Sequence, residues 1–325
     1  MINSENPELN NLIAYQSKFM KLLIVCSCNS GKIAPFILEQ GSALEQLGVT
    51  VSYFPIKGKG LWGYLKNRKK LIQKIAEFSP DLIHAHYGLS GLLANTQRRI
   101  PVVTTYHGSD INDARVFPFS RLNMVLSAYN IFVSEKNRQK SNLARKQSLI
   151  PCGIDTTLFR PLEKDQARKL LKLDEDKKYV LFAGAFANQV KNSGLAQEAV
   201  TLLTNTNLIE LRAYSREEVA LLLNAVDVVL MTSFTEGSPQ IIKEAMACNC
   251  PVVFVPVGDV ADITDRVAGC FISTYQASDV TLKLQQALAF GGRTEGRTRI
   301  MELGLDAEIV ACKILNVYKG VVNNK

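Results

Sequence analysis

The chain has 325 residues, 47% of them hydrophobic, with 38 Lys and Arg against 30 Asp and Glu and a formal net charge of +8. That content fills two hydrophobic cores and excludes a disordered chain, while the longest apolar runs, Val228–Met231 and 251–257, fall far short of the ~20 residues that span a membrane. The charge is uneven: residues 1–155 hold 19 basic against 10 acidic side chains, and residues 156–325 hold 19 against 20.

Residues 1–20 lack the basic start and apolar core of a signal peptide and read as an N-terminal appendage. Short apolar runs at 21–26, 49–55, 81–84, 101–106 and 130–134 read as strands, alternating with helical patterns at 34–47 and 63–78. The segment 151–161, with a proline at each end, marks a boundary. A second succession follows, with strands at 179–183, 208–212, 227–231 and 252–255 and helices at 193–203, 216–225 and 239–247. The expected fold is α/β: two Rossmann-like, doubly wound parallel-sheet domains, 21–155 and 156–305, and then a helical segment over 306–325. Ligands of such sheets sit outside the carboxyl ends of the strands.

The segment Thr235-Glu236-Gly237-Ser238-Pro239-Gln240-Ile241-Ile242-Lys243-Glu244 joins a strand to a helix, with Ser238 expected as N-cap and Pro239 as the first helical residue. Glu236 then lies in the loop, and Gln240 and Glu244 share one helix face. Backbone N–H groups after Gly237 and the positive end of the helix suit phosphate, and a carboxylate one turn on suits ribose hydroxyls. The plainer reading is a solvated loop acid and the polar side of an amphipathic helix.

Seven cysteines, an odd number scattered through the chain, argue for reduced thiols in a cytosol. The C-x-C pairs lack zinc spacing, and Asp174-Glu175-Asp176 reads as a solvated turn, so no metal is expected. Lys57, Lys59, Lys66, Arg68, Lys69, Lys70 and Lys74, interleaved with Leu61, Trp62, Tyr64 and Leu65, form either a solvated helix face or a surface for anionic lipid or an anionic acceptor.

In four places, in order along the chain, the sequence resembles glycosyltransferase family 4, the retaining GT-B nucleotide-sugar glycosyltransferases. These are Thr105-Tyr106-His107-Gly108-Ser109-Asp110; Ile150-Pro151-Cys152-Gly153-Ile154-Asp155 with Phe159-Arg160-Pro161; Glu236 and Glu244 with Met246-Ala247-Cys248-Asn249-Cys250-Pro251-Val252-Val253; and Val257-Gly258-Asp259. The resemblance implies a GT-B fold, two domains facing across a cleft, with the last helix crossing back to the first. It implies transfer of a sugar, with retention, from a nucleotide-diphosphate sugar to a glycan or lipid-linked acceptor in surface polysaccharide or glycoconjugate synthesis. No cofactor, metal or nucleic acid is implied, and the place is the cytoplasm or the inner face of the membrane.

Carried over residue by residue, the catalytic candidates are Glu236 on the donor sugar, Lys191 on the leaving diphosphate and His107 reaching the sugar from the opposite domain. Gly237, Ser238, Pro239, Gln240, Glu244, Gly184 and Asn192 would bind the donor. Gly31, His86, Gly108, Ser109 and Asp110 are the cleft and acceptor candidates, with His84 structural. The chain departs from the family twice. The position of its usual arginine falls in Gly184-Ala185-Phe186, where there is no charge, and one βα module is missing before the strand at 208. A non-catalytic protein that binds sugar nucleotide or glycan is therefore the main alternative. A dinucleotide-dependent oxidoreductase is opposed by the lack of G-x-G-x-x-G after either first strand.

Overall fold

Runs of buried residues that alternate between two apolar faces build two parallel sheets in the computed structural model, which describes residues 20–323. The expected appendage, apart from Met20, lies outside the described residues. The chain divides into two compact units: residues up to Gly153 together with those from Ala307 onward form unit 1, and Ile154–Asp306 form unit 2.

Unit 1 holds β1 (Lys21–Ser27), β2 (Thr50–Ile56), β3 (Leu82–His86), β4 (Val102–Tyr106), β5 (Tyr129–Phe132) and β6 (Gln147–Leu149), in the order β2-β1-β3-β4-β5-β6. Leu22, Ile24 and Cys26 point into one core and Leu23 and Val25 into the other, the period of two that a sheet covered on both faces requires. The first of these cores is completed by Val310, Ala311, Ile314, Leu315 and Tyr318 of the helix Ala307–Asn323.

Unit 2 holds β7 (Lys178–Phe182), β8 (Thr206–Glu210), β9 (Val228–Met231), β10 (Val252–Phe254) and β11 (Cys270–Ile272), in the order β11-β10-β9-β7-β8. Leu181, Val229, Val252 and Phe254 face one core, and Val180, Phe182, Val228, Leu230 and Val253 the other. β8 pairs with β7 along its whole length and is the edge of the sheet, so the short connection before it shortens the sheet at its rim and leaves the inner strands paired.

Some expected boundaries move. The pattern at 63–78 resolves into the helices Gly60–Leu65 and Arg68–Phe78. The helix expected from Pro239 runs Gln240–Ala247 with Pro239 as its N-cap, and Ser238 does not cap it. The units part after Gly153 and after Asp306, where the sequence suggested 155 and 305. The short strands β6 and β11 and the helix Gly88–Asn95 had not been expected. In each unit the first strand lies between the second and the third, so the chain leaves β1 and β3, or β7 and β9, in opposite directions. That switch point is where an open parallel sheet takes its ligand.

Candidate functional site

At the switch point of unit 2, the loop after β7 ends in the 3-10 turn Gln189–Lys191, where the Asn188 side chain accepts from Val190 N–H, and then in Asn192, left-handed at φ 53° ahead of the helix Ser193–Thr201. The loop after β9 is tied to it. Thr232 Oγ1 donates to the carbonyls of Lys191 and Asn192 at 3.0 and 2.9 Å, and Phe234 N–H donates to Val190 O at 2.9 Å. These bonds fix the backbones from which Lys191 and Glu236 reach each other, Nζ to Oε1 at 2.6 Å, with side chains 21% and 16% exposed. Gly184 makes room for the lysine: a Cβ there would stand 2.7 Å from Lys191 Cγ.

The loop carrying Gly237 and Ser238 is supported by the one after β10. Gly258, at φ +62°, approaches so closely that a Cβ would meet Gly237 O at 2.6 Å. Burial pushes the Asp259 carboxyl above its ordinary range, against the opposing effects of the Lys243 charge and the Ser238 hydroxyl. Gln240 accepts from the buried Lys243 Nζ at 2.9 Å. One turn on, Glu244 is 2% exposed and accepts from Arg216 Nη2 at 2.7 Å. The Arg216 guanidinium also lies 4.6 Å from the Phe159 ring centroid. Sequence reasoning missed Arg216. The available signal was Ser215-x-x-Glu218, a capping box that starts the helix Arg216–Ala225 and sets Arg216 in its first turn. Two carboxylates, each held by a cation, thus stand on the carboxyl side of this sheet. Such pairs suit a ligand with both phosphates and hydroxyls, because the cations can turn to the first and the carboxylates accept from the second.

Unit 1 has its own switch point. Gly31, at φ +92°, sits in the loop after β1, and Asn29, Ser30 and Lys32 from that loop line a cavity of about 470 Å³ with Tyr64, Tyr87, Ser109 and Asp110. His86 ends β3 and lies with Nδ1 3.0 Å from His107 Nε2, while His107 Nδ1 faces Cys152 Sγ at 3.7 Å. His107 also packs on Phe36 and Tyr87, at ring-centroid distances of 4.9 and 4.5 Å. Burial pushes the His86 pKa down to about 3. His84 is fully buried, bonded to Thr105 Oγ1 at 2.7 Å and to Tyr318 Oη at 2.5 Å, as a core residue should be.

Asp110 lines the cavity, yet its carboxylate is committed to the backbone. It accepts from the N–H groups of Gly88, His107 and Gly108, each at 3.0 Å, and so ties the loop after β3 to the loop after β4. Burial raises its pKa to about 6 in spite of those donors. Gly108, at φ +110°, makes the turn that a side chain would strain, and Ser109 is exposed at the start of the short helix Ser109–Asn112. Among the described residues no three His, Cys, Asp or Glu side chains converge as a metal site, and no helix is long and apolar enough to cross a membrane.

Comparison with known proteins agrees with this architecture. Residues 24–158 match the family model Glycosyltransferase Family 4, and residues 170–289 match the model Glycosyl transferases group 1. A D-inositol 3-phosphate glycosyltransferase of Mycobacterium marinum is 24% identical over 266 residues, covering 66% of this chain and 57% of the relative. Its counterpart in Mycobacterium ulcerans is 23% identical, and the chain covers 58% of it. The chain thus spans less than two thirds of the length of these curated relatives. Among solved structures, sucrose-phosphate synthase of Thermosynechococcus elongatus superposes with a TM-score of 0.81 at 17% identity, covering 94% of this chain and 100% of that one. HepE of Anabaena, solved in complex with UDP-glucose, superposes with a TM-score of 0.68 at 18% identity, covering 93% and 100%. These likenesses show the GT-B fold.

Proposed function

The chain belongs to glycosyltransferase family 4, and from that premise we propose that it transfers a sugar, with retention and without a metal, from a nucleotide-diphosphate sugar to a glycan or lipid-linked acceptor. The observation that carries this reading is the Lys191–Glu236 pair at the switch point of unit 2, one loop ahead of the helix Gln240–Ala247. Lys191 stabilises the charge that grows on the β-phosphate as the anomeric bond breaks, the kind of electrostatic effect that dominates much enzyme catalysis. Glu236, released from the lysine by the arriving phosphate, accepts from the donor sugar's hydroxyls. Glu244 accepts from the ribose, with Arg216 holding its carboxylate in place. The leaving diphosphate oxygen takes the acceptor's proton as the new glycosidic bond forms on the same face. UDP-glucose in HepE supports a nucleotide sugar as the donor class. The part of His107 in the transfer is proposed on the same family footing.

Release of nucleoside diphosphate from UDP-, GDP- and ADP-sugars tests the reading, with Glu244→Ala and Lys191→Ala as controls and calorimetric binding of UDP and GDP alongside. Release that both variants lose supports the transferase. One observation favours a non-catalytic binder, the uncharged Gly184-Ala185-Phe186 beside Lys191. Tight nucleotide binding without release, with acceptors supplied, would decide for it.

A further inference from the structure

Unit 1 carries a cluster of exposed basic side chains between residues 57 and 70. Lys57, Lys59, Lys66, Arg68, Lys69 and Lys70 are all exposed. Among the described residues none of these five lysine ammonium groups takes part in a hydrogen bond or ion pair, and Arg68 donates only to Thr96 O, at 3.4 Å. In the middle of this stretch stands Trp62, the chain's only tryptophan, 76% exposed.

That exposure is built in. Trp62 belongs to the helix Gly60–Leu65, which is held from below by the buried Tyr64. Gly58, at φ +142°, lies so close to Gly63 that a Cβ on it would meet Gly63 O at 2.4 Å. The Asn29 side chain makes two bonds of 2.8 Å to the Gly58 backbone, and the Asn67 amide donates to Lys57 O and Gly63 O at 3.1 and 2.8 Å. An indole fixed in water forgoes the gain that burial would bring. The face continues along the helix Arg68–Phe78, where Arg68 and Ile72, with Arg99 and Ile100, line a hollow of about 460 Å³ that sets cationic and apolar groups side by side.

We propose that this face docks the protein onto an anionic lipid bilayer, with Trp62 at the level of the headgroups and the lysines on lipid phosphates. Indoles prefer that zone, and basic side chains are drawn to an anionic leaflet. A lipid surface fits better than a single-stranded nucleic acid, because the exposed apolar companion of Trp62 on this face is Ile72 and not a second ring on which a base could stack. The docking stands apart from the transfer reaction. Joined to the reading above, on which this further step rests, it names the acceptor class as lipid-linked: Tyr64, on the same six-residue helix as Trp62, lines the cavity outside β1 and β3.

The test uses the full chain without donor, so its outcome is independent of catalysis. Sedimentation and tryptophan emission are measured with phosphatidylcholine vesicles and with mixed phosphatidylcholine–phosphatidylglycerol vesicles; as the sole tryptophan, Trp62 is what the emission reports. The expected result is co-sedimentation and a blue shift with the anionic vesicles only, reversed by salt. Replacing Lys66, Arg68, Lys69 and Lys70 by Gln should weaken binding by about 100-fold or more, from about fivefold per basic side chain near an anionic leaflet. Trp62→Ala should weaken it while leaving the melting temperature unchanged. Equal binding to neutral vesicles, an unshifted emission, or full binding by the quadruple variant would overturn the proposal. So would quenching of Trp62 by a single-stranded oligonucleotide with no response to anionic vesicles.

Discussion

Lys191 meets Glu236 at 2.6 Å because Gly184 has no side chain in the way. Lys191→Ala should therefore lower nucleoside diphosphate release by ~10²–10³-fold, and Gly184→Ala, by pushing the lysine stem aside, should lower release while the melting curve stays in place. The buried histidines set a pH dependence. Burial lowers the His86 pKa from 6.5 to about 3 and shifts His84 the same way, so the folded chain binds fewer protons than the unfolded one as pH falls below 6.5. Stability present above that pH is lost on acidification, by ~1.4 kcal/mol per pH unit for His86, with His84 acting in the same direction. Asp110 acts oppositely: its pKa is raised from 3.8 to about 6, so the folded state gains protons first and part of the loss is offset below pH 6. Asp259, raised by burial as well, acts in the same direction as Asp110. Against these two aspartates the histidines still lower the melting temperature from pH 6.5 to 5, and His86→Gln should reduce the slope by ~1.4 kcal/mol per pH unit. At this scale Glu236 could be placed in a loop after a readable strand and Lys191 was suggested by the family resemblance alone, and the structure brings their side chains together. The sequence could not name Arg216, whose pairing with Glu244 joins residues far apart in the chain, nor show that the Asp110 carboxylate turns to the backbone amides of Gly88, His107 and Gly108.

The elements that could be read were those with a clear period. β1, β7, β9 and β10 are runs of β-branched and leucine side chains buried on both faces. The helix Gly88–Asn95 could not be read, because nearly all of its residues are buried and two glycines interrupt it; Gly91 packs so tightly on Asn123 and Thr104 that a Cβ would meet their side chains at 2.2 and 2.6 Å. A helix apolar all round shows no amphipathic period. β6 and β11 lie at sheet edges with half-buried or exposed side chains, and so lack the fully buried apolar run that marks the equally short β10. β8 is also an edge strand, with β7 as its only partner among the described residues. Its amides should exchange with deuterium faster than those of β7 and β9, which are bonded on both sides. Equal protection across the three strands would show that something covers the edge of β8.

At the scale of the molecule, two parallel sheets were legible as two βα successions, and the pairing order was not, since it depends on contacts between strands distant in sequence. The helix Ala307–Asn323 gives Val310, Ile314, Leu315 and Tyr318 to the core of unit 1. Each such buried side chain contributes ~1.5–3 kcal/mol, so losing them together approaches the whole ~5–15 kcal/mol margin of a domain. A chain ending at Asp306 should lose exchange protection across β1 to β5 and keep it in β7 and β9. The same arrangement orders events on the ribosome. Ile154–Asp306 is one uninterrupted stretch that can leave the exit tunnel and fold as soon as it is made. The core beside β1, whose strand is translated first, stays open until the helix Ala307–Asn323 emerges, so the part of unit 1 synthesised earliest is the last to be closed.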